Sequence, residues 1–409
     1  MKINMCDGGE KLMSACLPSS SLNEQLCKKC KQSMAVLSLR GKDVYCKDCF
    51  LQAATHKFRA ALGKSKFIRP GDKVLVALSG GLCSSALLHL IQNGLSQDSH
   101  KRLRFEPILL HVDETSYYHD DTILLEVTGK MQNSLLPYFI VKLNQSVASE
   151  IVLTNDIQDL KHDNDLEKRF QSTLSKIQTD TSKQDFIEKI KYNLYAKVAA
   201  KLNCKFVFVG DICTKIASTI LSNVALGRGA HLFLDATFAD TRYENLKVLR
   251  PMKDFVTSEI VHYNIFNNIL SVSAGDKANS IVSSIQSLTE NFVNDLQKNY
   301  PATVYSITNT GAKLSHHPRL LMQTDRCTIC NASLDTNVEK ASALEATKFS
   351  KVISFLGPTK FTASSTLLEQ ITSEYEKEPE ETLCYGCSLL LSDFNNEDMS
   401  DLCKHLSIM

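Results

Sequence analysis

The stretch Lys73-Val-Leu-Val-Ala-Leu-Ser79-Gly80-Gly81-Leu82-Cys83-Ser84-Ser85 decides the fold of this chain. Its first six residues form an aliphatic, β-branched run that is typical of a buried strand in a parallel sheet. The two glycines then let the backbone approach a ligand closely, and an apolar helix follows at once. The free N–H groups that begin such a helix, with the hydroxyls of Ser84 and Ser85, favour an anion. The stretch therefore predicts a strand–turn–helix unit with an anion site.

Strands and helices are predicted to alternate along the chain after this stretch. Such alternation favours an open, mostly parallel sheet that carries helices on both faces. Ligands of these sheets bind beyond the carboxyl ends of the strands, where Ser79 and Asp113 would lie. The predicted strands are 73–78, 105–112, 138–143 and 205–210, and the predicted helices are 84–92, 120–131, 186–202 and 214–226.

Two Cys-x-x-Cys pairs lie near the N-terminus, Cys27 with Cys30 and Cys46 with Cys49, fifteen residues apart. Each pair forms a tight turn, and a hairpin over 37–44 brings the two turns together as in a zinc ribbon. Four cysteine ligands close the coordination shell, so the expected role is structural. Two disulfides or free thiols are the alternative. We find no apolar run long enough for a membrane span and no secretory pattern, which favours a reducing compartment and metal ligands.

A second set of pairs, Cys327 with Cys330 and Cys384 with Cys387, repeats this design with 53 residues between the pairs. It predicts a second zinc site with the intervening chain looped out, and unpaired thiols are the alternative. The other cysteines have no such spacing and are left without an assigned role: Cys6, Cys16, Cys83, Cys204, Cys213 and Cys403.

The charge of the whole chain gives no case for nucleic acid, because 46 Lys and Arg face 45 Asp and Glu. Residues 27–73 are different, since they contain twelve Lys or Arg against three Asp. That local excess predicts a surface for RNA phosphates, and a merely solvated face is the alternative. The predicted contacts are Lys28, Lys29, Lys31, Arg40 and Lys42.

With 409 residues, the chain is long enough for two or three domains. Within the last of them, residues 281–296 carry an amphipathic stripe, for which we expect a core role rather than contact with a partner. The expected organisation is a flexible tail at 1–22, the zinc ribbon and a linker helix at 23–62, the α/β domain at 63–270 with a polar insertion lacking a core pattern at 144–184, and a helical region with the second cysteine module at 271–409.

With these motifs placed, the chain resembles the cytoplasmic tRNA 2-thiolation proteins along nearly its whole length. The stretch from Ser79 is similar to Ser-Gly-Gly-x-Asp-Ser, the PP-loop of enzymes that split ATP into AMP and pyrophosphate. His111-Val-Asp113-Glu114 is similar to the family's Ile-Asp-Glu, His119-Asp120-Asp121 to its Arg-Asp-Asp, and Arg250-Pro251-Met-Lys253 to its Arg/Lys-Pro-Leu-Lys. The resemblance implies an α/β fold of the PP-loop ATP-pyrophosphatase type flanked by zinc modules, with a nucleotide site at Ser79, Gly80, Gly81, Ser84, Ser85 and Asp113.

The departures from the family pattern all fall on catalytic groups. Cys83 replaces the PP-loop aspartate, and Gly210-Asp-Ile-Cys213-Thr-Lys215 stands where active members have Gly-His-Asn-Ala-Asp-Asp. The Asp185–Glu188 region lacks the Cys-x-x-Cys of active members, and after Gly227-Arg-Gly-Ala230 no cysteine follows until Cys327. Splitting ATP needs Mg²⁺ held by carboxylates, and sulfur transfer or an iron–sulfur cluster needs convergent thiolates. We therefore expect no catalytic residue and no iron–sulfur cluster, and ATP binding stays open.

The resemblance is closest to the non-catalytic branch, so the preferred hypothesis is one subunit of a cytoplasmic, heterodimeric tRNA thiolase. It implies an active PP-loop partner, wobble uridine 34 of the Lys, Glu and Gln tRNAs as substrate, and sulfur from a thiocarboxylated ubiquitin-like carrier, the modifier of protein urmylation. One alternative is an ATP-dependent, tRNA-adenylating sulfurtransferase, with Cys83 or Cys213 carrying sulfur. The other is a zinc-ribbon scaffold with no RNA role.

Overall fold

A six-stranded sheet forms the centre of the molecule in a computed structural model, which describes residues 25–39, 43–96, 102–118, 121–148, 150–160, 163–243, 245–272, 284–314, 326–334, 347, 350–351 and 383–394. The strands are β1 Leu37–Leu39, β2 Asp43–Tyr45, β3 Lys73–Ala77, β4 Glu106–Asp113, β5 Tyr138–Lys142, β6 Phe206–Phe208, β7 Ala239–Asp240 and β8 Lys247–Leu249. The order in the large sheet is β5-β4-β3-β6-β8-β7, and only the β7–β8 pair is antiparallel. The predicted mostly parallel sheet is confirmed.

Helices cover both faces of this sheet. Alternate residues of β3 show why: Val74 and Val76 pack into the core on one face, whereas Leu75 and Ala77 pack into the core on the other. Each predicted element of the α/β domain is present, with ends shifted by a few residues. The helices are α1 Lys47–Ser65, α2 Leu82–Leu95, α3 Thr115–Tyr118, α4 Thr122–Asn133, α5 Asn164–Ser175, α6 Asp180–Lys201, α7 Cys213–Ala225, α8 Leu232–Ala236, α9 Thr257–Phe266, α10 Ile285–Asn299, α11 Pro301–Lys313 and α12 Tyr385–Ser392.

The N-terminal ribbon is tied to the sheet through α1. Strands β1 and β2 form the predicted antiparallel hairpin, and α1 leaves it directly after Cys46. Lys57 on α1 makes an ion pair of 2.7 Å with Glu259 on α9, and the rings of Phe50 and Phe266 meet edge to face at 5.8 Å between centroids. The linker helix is therefore part of the domain's packing.

The expectation that the polar segment 144–184 lacks a core pattern is wrong. Its helix α5 buries Phe170 and Leu174, and Ile177 is also buried in the same cluster as the sheet. The helix begins at a capped turn, because the Asp163 carboxylate accepts the N–H groups of Asp165 and Leu166. The sequence carries this signal only as Leu166, Phe170 and Leu174 at every fourth position among polar residues.

The amphipathic stripe predicted for 281–296 is also placed differently. Leu288 and Phe292 of α10 are more than half exposed, while Val293 and Gln286 are buried against neighbouring helices. Thr289 on the buried face shares hydrogen bonds with hydroxyls of α7. Val293 also packs here in a small apolar cluster with Ala217, and Leu296 lies against that cluster. The expected core role of the apolar stripe is therefore wrong for Leu288 and Phe292.

Candidate functional site

A cavity of about 1250 Å³ opens beyond the carboxyl ends of β3 and β6. The sheet order reverses direction here, since β3 has β4 on one side and β6 on the other. That is where open α/β sheets bind ligands. Ser79 after β3, Glu114 after β4 and Asp211 after β6 all line the cavity. The location therefore agrees with the expectation from the sequence.

The glycine turn brings only part of the predicted nucleotide site to this cavity. Ser79 and Ser84 line it, and their hydroxyl oxygens lie 3.2 Å apart. The Ser85 hydroxyl is buried and donates to the carbonyl of Gly80 at 3.0 Å, on the side where Lys130 approaches. Gly80 adopts a φ of +84°, which favours glycine. The nucleotide assignment of these residues stays a prediction.

Asp113 ends β4 and is almost fully buried, and its carboxylate accepts the N–H of Thr115 at 3.0 Å. Its neighbour Glu114 lines the cavity instead and pairs with Lys191 of α6 at 2.7 Å. Burial opposes the charge of Lys191, but the Glu114 carboxylate outweighs it and raises the pKa of the lysine. The sequence did not reveal Lys191, because helix α6 lies far from β4 along the chain.

The thiols near the cavity are poor nucleophiles. Cys83 lines the cavity, but burial, aided by the nearby Asp211 carboxylate, raises its pKa to about 12. Cys213 begins α7 and is buried, with its sulfur 3.5 Å from the Thr308 hydroxyl. Burial raises the pKa of Cys204 as well. At neutral pH these thiols stay protonated, and the thiolate is the reactive form.

Arg250, the first residue of the Arg-Pro-Met-Lys stretch, joins several loops beneath the cavity. Its Nη1 donates to the carbonyls of Leu234 and Thr237 at 3.0 and 3.3 Å. Its Nε lies 3.3 Å from the Asp211 carboxylate, and the side chain is almost fully buried. The residue therefore serves to hold the strand ends together, since its donors are already used.

The first four-cysteine cluster has the geometry of a metal site. The sulfurs of Cys27, Cys30, Cys46 and Cys49 all lie within 4.8 Å of one another. Backbone N–H groups close each turn, from Lys31 to the carbonyl of Cys27 and from Phe50 to that of Cys46. Burial disfavours the charged thiolate of Cys27, but backbone hydrogen bonds outweigh the effect of burial and lower the pKa of Cys27 to about 6.

The second cluster repeats this design inside the main core. Cys327, Cys330, Cys384 and Cys387 are buried, and their sulfurs also lie within 4.8 Å of one another. The N–H groups of Asn331 and Ser388 close the two turns on the carbonyls of Cys327 and Cys384. Each cluster could hold a metal ion, and four thiolates in this arrangement suit tetrahedral Zn²⁺. Zinc as the metal stays a prediction.

A buried ion pair connects helix α6 to the second cluster, and the sequence did not reveal it. Both guanidinium ends of Arg228 donate to the Asp185 carboxylate, at 2.9 and 2.5 Å, and Nη2 also reaches the carbonyl of Gly386 at 3.3 Å. Gly386 lies between two of the cysteines. Arg228 therefore joins α6 to the second cysteine turn.

The predicted RNA-contacting lysines surround the first cluster. Lys28, Lys29 and Lys31 are exposed, although Lys28 pairs with Asp43 and Lys29 lies 3.4 Å from the side-chain oxygen of Gln52. Arg40 and Lys42 lie outside the described residues, as do Cys6, Cys16 and Cys403. The RNA role of this surface stays a prediction.

No helix in the described part of the chain is long and apolar enough to cross a membrane.

Comparison with known proteins gives similarities in sequence and in fold. The family model described as cytoplasmic tRNA 2-thiolation protein 2 matches residues 284–389. Cytoplasmic tRNA 2-thiolation protein 2-B of Xenopus laevis is 34% identical over 420 residues, covering 87% of this chain and 82% of that protein. Cytoplasmic tRNA 2-thiolation protein 2 of Homo sapiens is 30% identical, covering 92% and 88%.

Among solved structures, the U34-tRNA thiolase NcsA of Methanococcus maripaludis, determined with its [4Fe-4S] cluster, has a similar fold. The TM-score is 0.55 at 17% sequence identity, and the match covers 76% of this chain and 94% of that chain. At this identity the similarity concerns the fold alone.

Proposed function

The chain belongs to the cytoplasmic tRNA 2-thiolation protein 2 family, and from that premise we propose that it is the supporting subunit of a heterodimeric tRNA thiolase. A role in tRNA 2-thiolation follows from the family. The finer assignment is that another PP-loop subunit performs the chemistry on wobble uridine 34, while this chain stabilises that subunit and helps to hold the tRNA.

One observation supports a supporting role most directly: among the described residues, no cysteine that lines the cavity outside the second cluster is an activated nucleophile. Cys83 is the cysteine in its lining outside the second cluster, and its raised pKa keeps it a neutral thiol. Cys213 is buried beside Thr308. Carrying sulfur would require a thiolate that is accessible to a sulfur donor.

The two cysteine clusters, in this proposal, hold structural zinc. Closed four-thiolate sites supply folding energy rather than an open coordination position for a substrate. An iron–sulfur cluster also uses thiolate ligands, so metal analysis of the purified chain decides between zinc and iron. The ubiquitin-like sulfur carrier, in the same proposal, docks on the active partner.

The decisive experiment measures uridine 34 thiolation and pyrophosphate release with the chain alone, the active partner alone, and both together. We expect full activity only in the mixture, and no loss with Cys83→Ala or Cys213→Ala. Product formed by this chain alone would favour the adenylating sulfurtransferase. A mixture no more active than the partner alone, with no tRNA bound, would favour the scaffold.

The proposed tRNA surface has its own test. Replacing Lys28, Lys29 and Lys31 together by Ala removes three exposed cations, so the salt dependence of tRNA affinity should weaken by roughly two to three units of log–log slope. Replacing Lys168, Lys183 and Lys201, which belong to helices α5 and α6, is the control. An unchanged affinity and slope in the ribbon variant would contradict the assignment.

A further inference from the structure

The two cysteine clusters are held together in different ways. In the first cluster a backbone hairpin joins the two turns: β1 pairs with β2, and the Lys28 N–H donates to the carbonyl of Val44 at 2.9 Å. In the second cluster, we find no backbone hydrogen bond from one turn to the other within the described residues. These turns meet through their sulfurs, with Cys330 Sγ 3.6 Å from Cys384 Sγ across 54 positions of the sequence. The second pair of turns therefore depends on a shared metal ion for its closure, whereas the first pair also has a hairpin.

Residues 383–394 begin with the last Cys-x-x-Cys turn and end against helix α6, and we call them the C-terminal clasp. Leu390, Leu391 and Phe394 of this segment are buried in the main core. The ring of Phe394 meets the ring of Phe186 on α6 edge to face, at 6.1 Å between centroids. The C-terminal clasp is therefore packed on α6 as well as tied to the cysteines.

The carboxylate of Asp393 in the C-terminal clasp lies at the start of α6. It accepts the backbone N–H of Thr179 at 3.0 Å and the hydroxyl of Thr179 at 2.6 Å. Thr179 in turn caps the helix, because its hydroxyl oxygen accepts the N–H of Ser182. A negative charge at this end also complements the helix dipole. The C-terminal clasp thus gives α6 a second capping group from 214 positions away in the sequence.

Both cysteine turns of the second cluster are also attached to α6. The side-chain amide of Asn193 donates to the carbonyl of Ile329, inside the first turn, at 3.4 Å. Inside the other turn, the carbonyl of Gly386 accepts from Arg228, whose guanidinium pairs with Asp185 of α6. Together with the contact at the helix start, three points of α6 depend on the two segments that the four sulfurs bring together.

Another face of α6 lines the cavity. Glu188, Lys191 and Tyr195, spaced three and four residues apart, lie on one side of the helix and all line the cavity. Phe186 and Asn193, which contact the C-terminal clasp and the first turn, are seven residues apart and share a different side. Helix α6 is therefore a wall between the second cluster and the cavity.

We propose that the second cysteine cluster and the C-terminal clasp form a metal-dependent fastener that fixes α6 and thereby sets the shape of the cavity. Without the metal, two segments that are far apart in sequence lose their connection, so the contacts along α6 weaken together and this wall opens by local unfolding. The first cluster has no such effect, since its hairpin keeps its turns together and none of its cysteines lines the cavity. This role goes beyond the proposed function and does not depend on it.

The first test measures hydrogen–deuterium exchange by mass spectrometry on the full-length chain loaded with zinc. Cys387→Ser removes a ligand of the second cluster, and Cys49→Ser removes the equivalent ligand of the first as a matched control. We expect Cys387→Ser to speed exchange in α6 and in the C-terminal clasp at least about tenfold and to leave β3 and β4 unchanged. Cys49→Ser should speed exchange only in the ribbon and α1.

A second test keeps all eight cysteines in place. Asp393→Ala removes the carboxylate at the start of α6, so by linkage the second cluster should bind zinc about fivefold less tightly in competition with a chelator. Asp393→Asn keeps an acceptor oxygen and should restore the affinity. Asp163→Ala is the matched control, because it removes the side-chain cap of a different helix, α5, and should leave the zinc affinity unchanged.

Three results would overturn the proposal. One is unchanged exchange in α6 when Cys387→Ser has lost the second metal and still folds by circular dichroism. Another is equal loosening of α6 in Cys49→Ser, and the third is Asp393→Ala binding zinc as tightly as the wild type. If Cys387→Ser unfolds altogether, the zinc affinities of the Asp393 variants decide. Neither readout involves thiolation, so failure of the proposed function would leave this proposal intact.

Discussion

The buried pair between Arg228 and Asp185 yields the sharpest prediction about stability. The two side chains are only 4% and 5% exposed, and the guanidinium makes two hydrogen bonds to the carboxylate. Asp185→Ala leaves the guanidinium buried without its counter-charge. Removing one partner of a buried pair costs about 3–5 kcal/mol of unfolding free energy. With an unfolding entropy of about 2.1 cal/mol/K per residue, 1 kcal/mol corresponds to about 1.2 °C for a chain of 409 residues, so the melting temperature should fall by about 3–6 °C.

The assay is thermal and urea unfolding, monitored by circular dichroism on metal-loaded protein. Asp180→Ala on the same helix is the matched control, because its pair with Lys183 is a 3.9 Å contact between partly exposed groups. That change should cost less than about 0.5 kcal/mol.

A double variant decides whether the cost is electrostatic. Asp185→Leu combined with Arg228→Met removes both charges and leaves apolar side chains, which should recover much of the stability lost in either single variant. If Asp185→Ala melts within 1 °C of the wild type, or if the effects of Asp185→Leu and Arg228→Met simply add, the reasoning is refuted.

Three further predictions concern the loop, the second cluster and the cavity thiol. Gly80→Ala should destabilise the chain by about 1–3 kcal/mol in urea unfolding, because its φ is +84° and the new Cβ would lie 2.4 Å from Val127. Gly81→Ala should be near neutral, since its Cβ would meet only the Ser79 hydroxyl at 3.7 Å; equal losses would contradict this. Cys387→Ser should remove about one of two bound metal ions per chain by elemental analysis, and retention of both would count against the second site. Cys83, with a pKa raised from 9.0 to about 12, should react with iodoacetamide at pH 8 far more slowly than in the unfolded chain by mass spectrometry. Equal alkylation rates in the folded and the unfolded chain would argue against a protonated thiol. The raised pKa of Cys83 also stabilises the fold below pH 9, and this contribution is lost as the pH rises toward 12.

Local signals in the sequence were sufficient for the parts of the fold that depend on short-range patterns. A Cys-x-x-Cys turn closes on its own backbone, as the amides of Lys31 and Asn331 show. The spacing alone therefore pointed to both cysteine clusters, even across the 53-residue gap. The strand at Lys73 was equally visible, since a strand buried on both faces must be apolar throughout.

Prediction from sequence patterns failed where the buried apolar residues are sparse and where apolar residues are exposed. Phe170 and Leu174 reach the core from a helix that is otherwise polar, so the segment looked like a coreless insertion. The larger stripe on α10 suggested burial, yet its small and polar face packs against α7. Periodicity shows where apolar residues lie on a helix, but it does not show which face of the helix packs against another element.

By itself, the sequence determined the alternation of strands and helices and the two cysteine sets, because each depends on consecutive or regularly spaced residues. Only the tertiary structure decided which charges meet. Arg228 pairs with Asp185 across 43 positions, Lys191 of α6 pairs with Glu114 after β4, and Lys215 keeps no partner among the described residues. Such encounters depend on how the helices cross the sheet, and no local pattern encodes that arrangement.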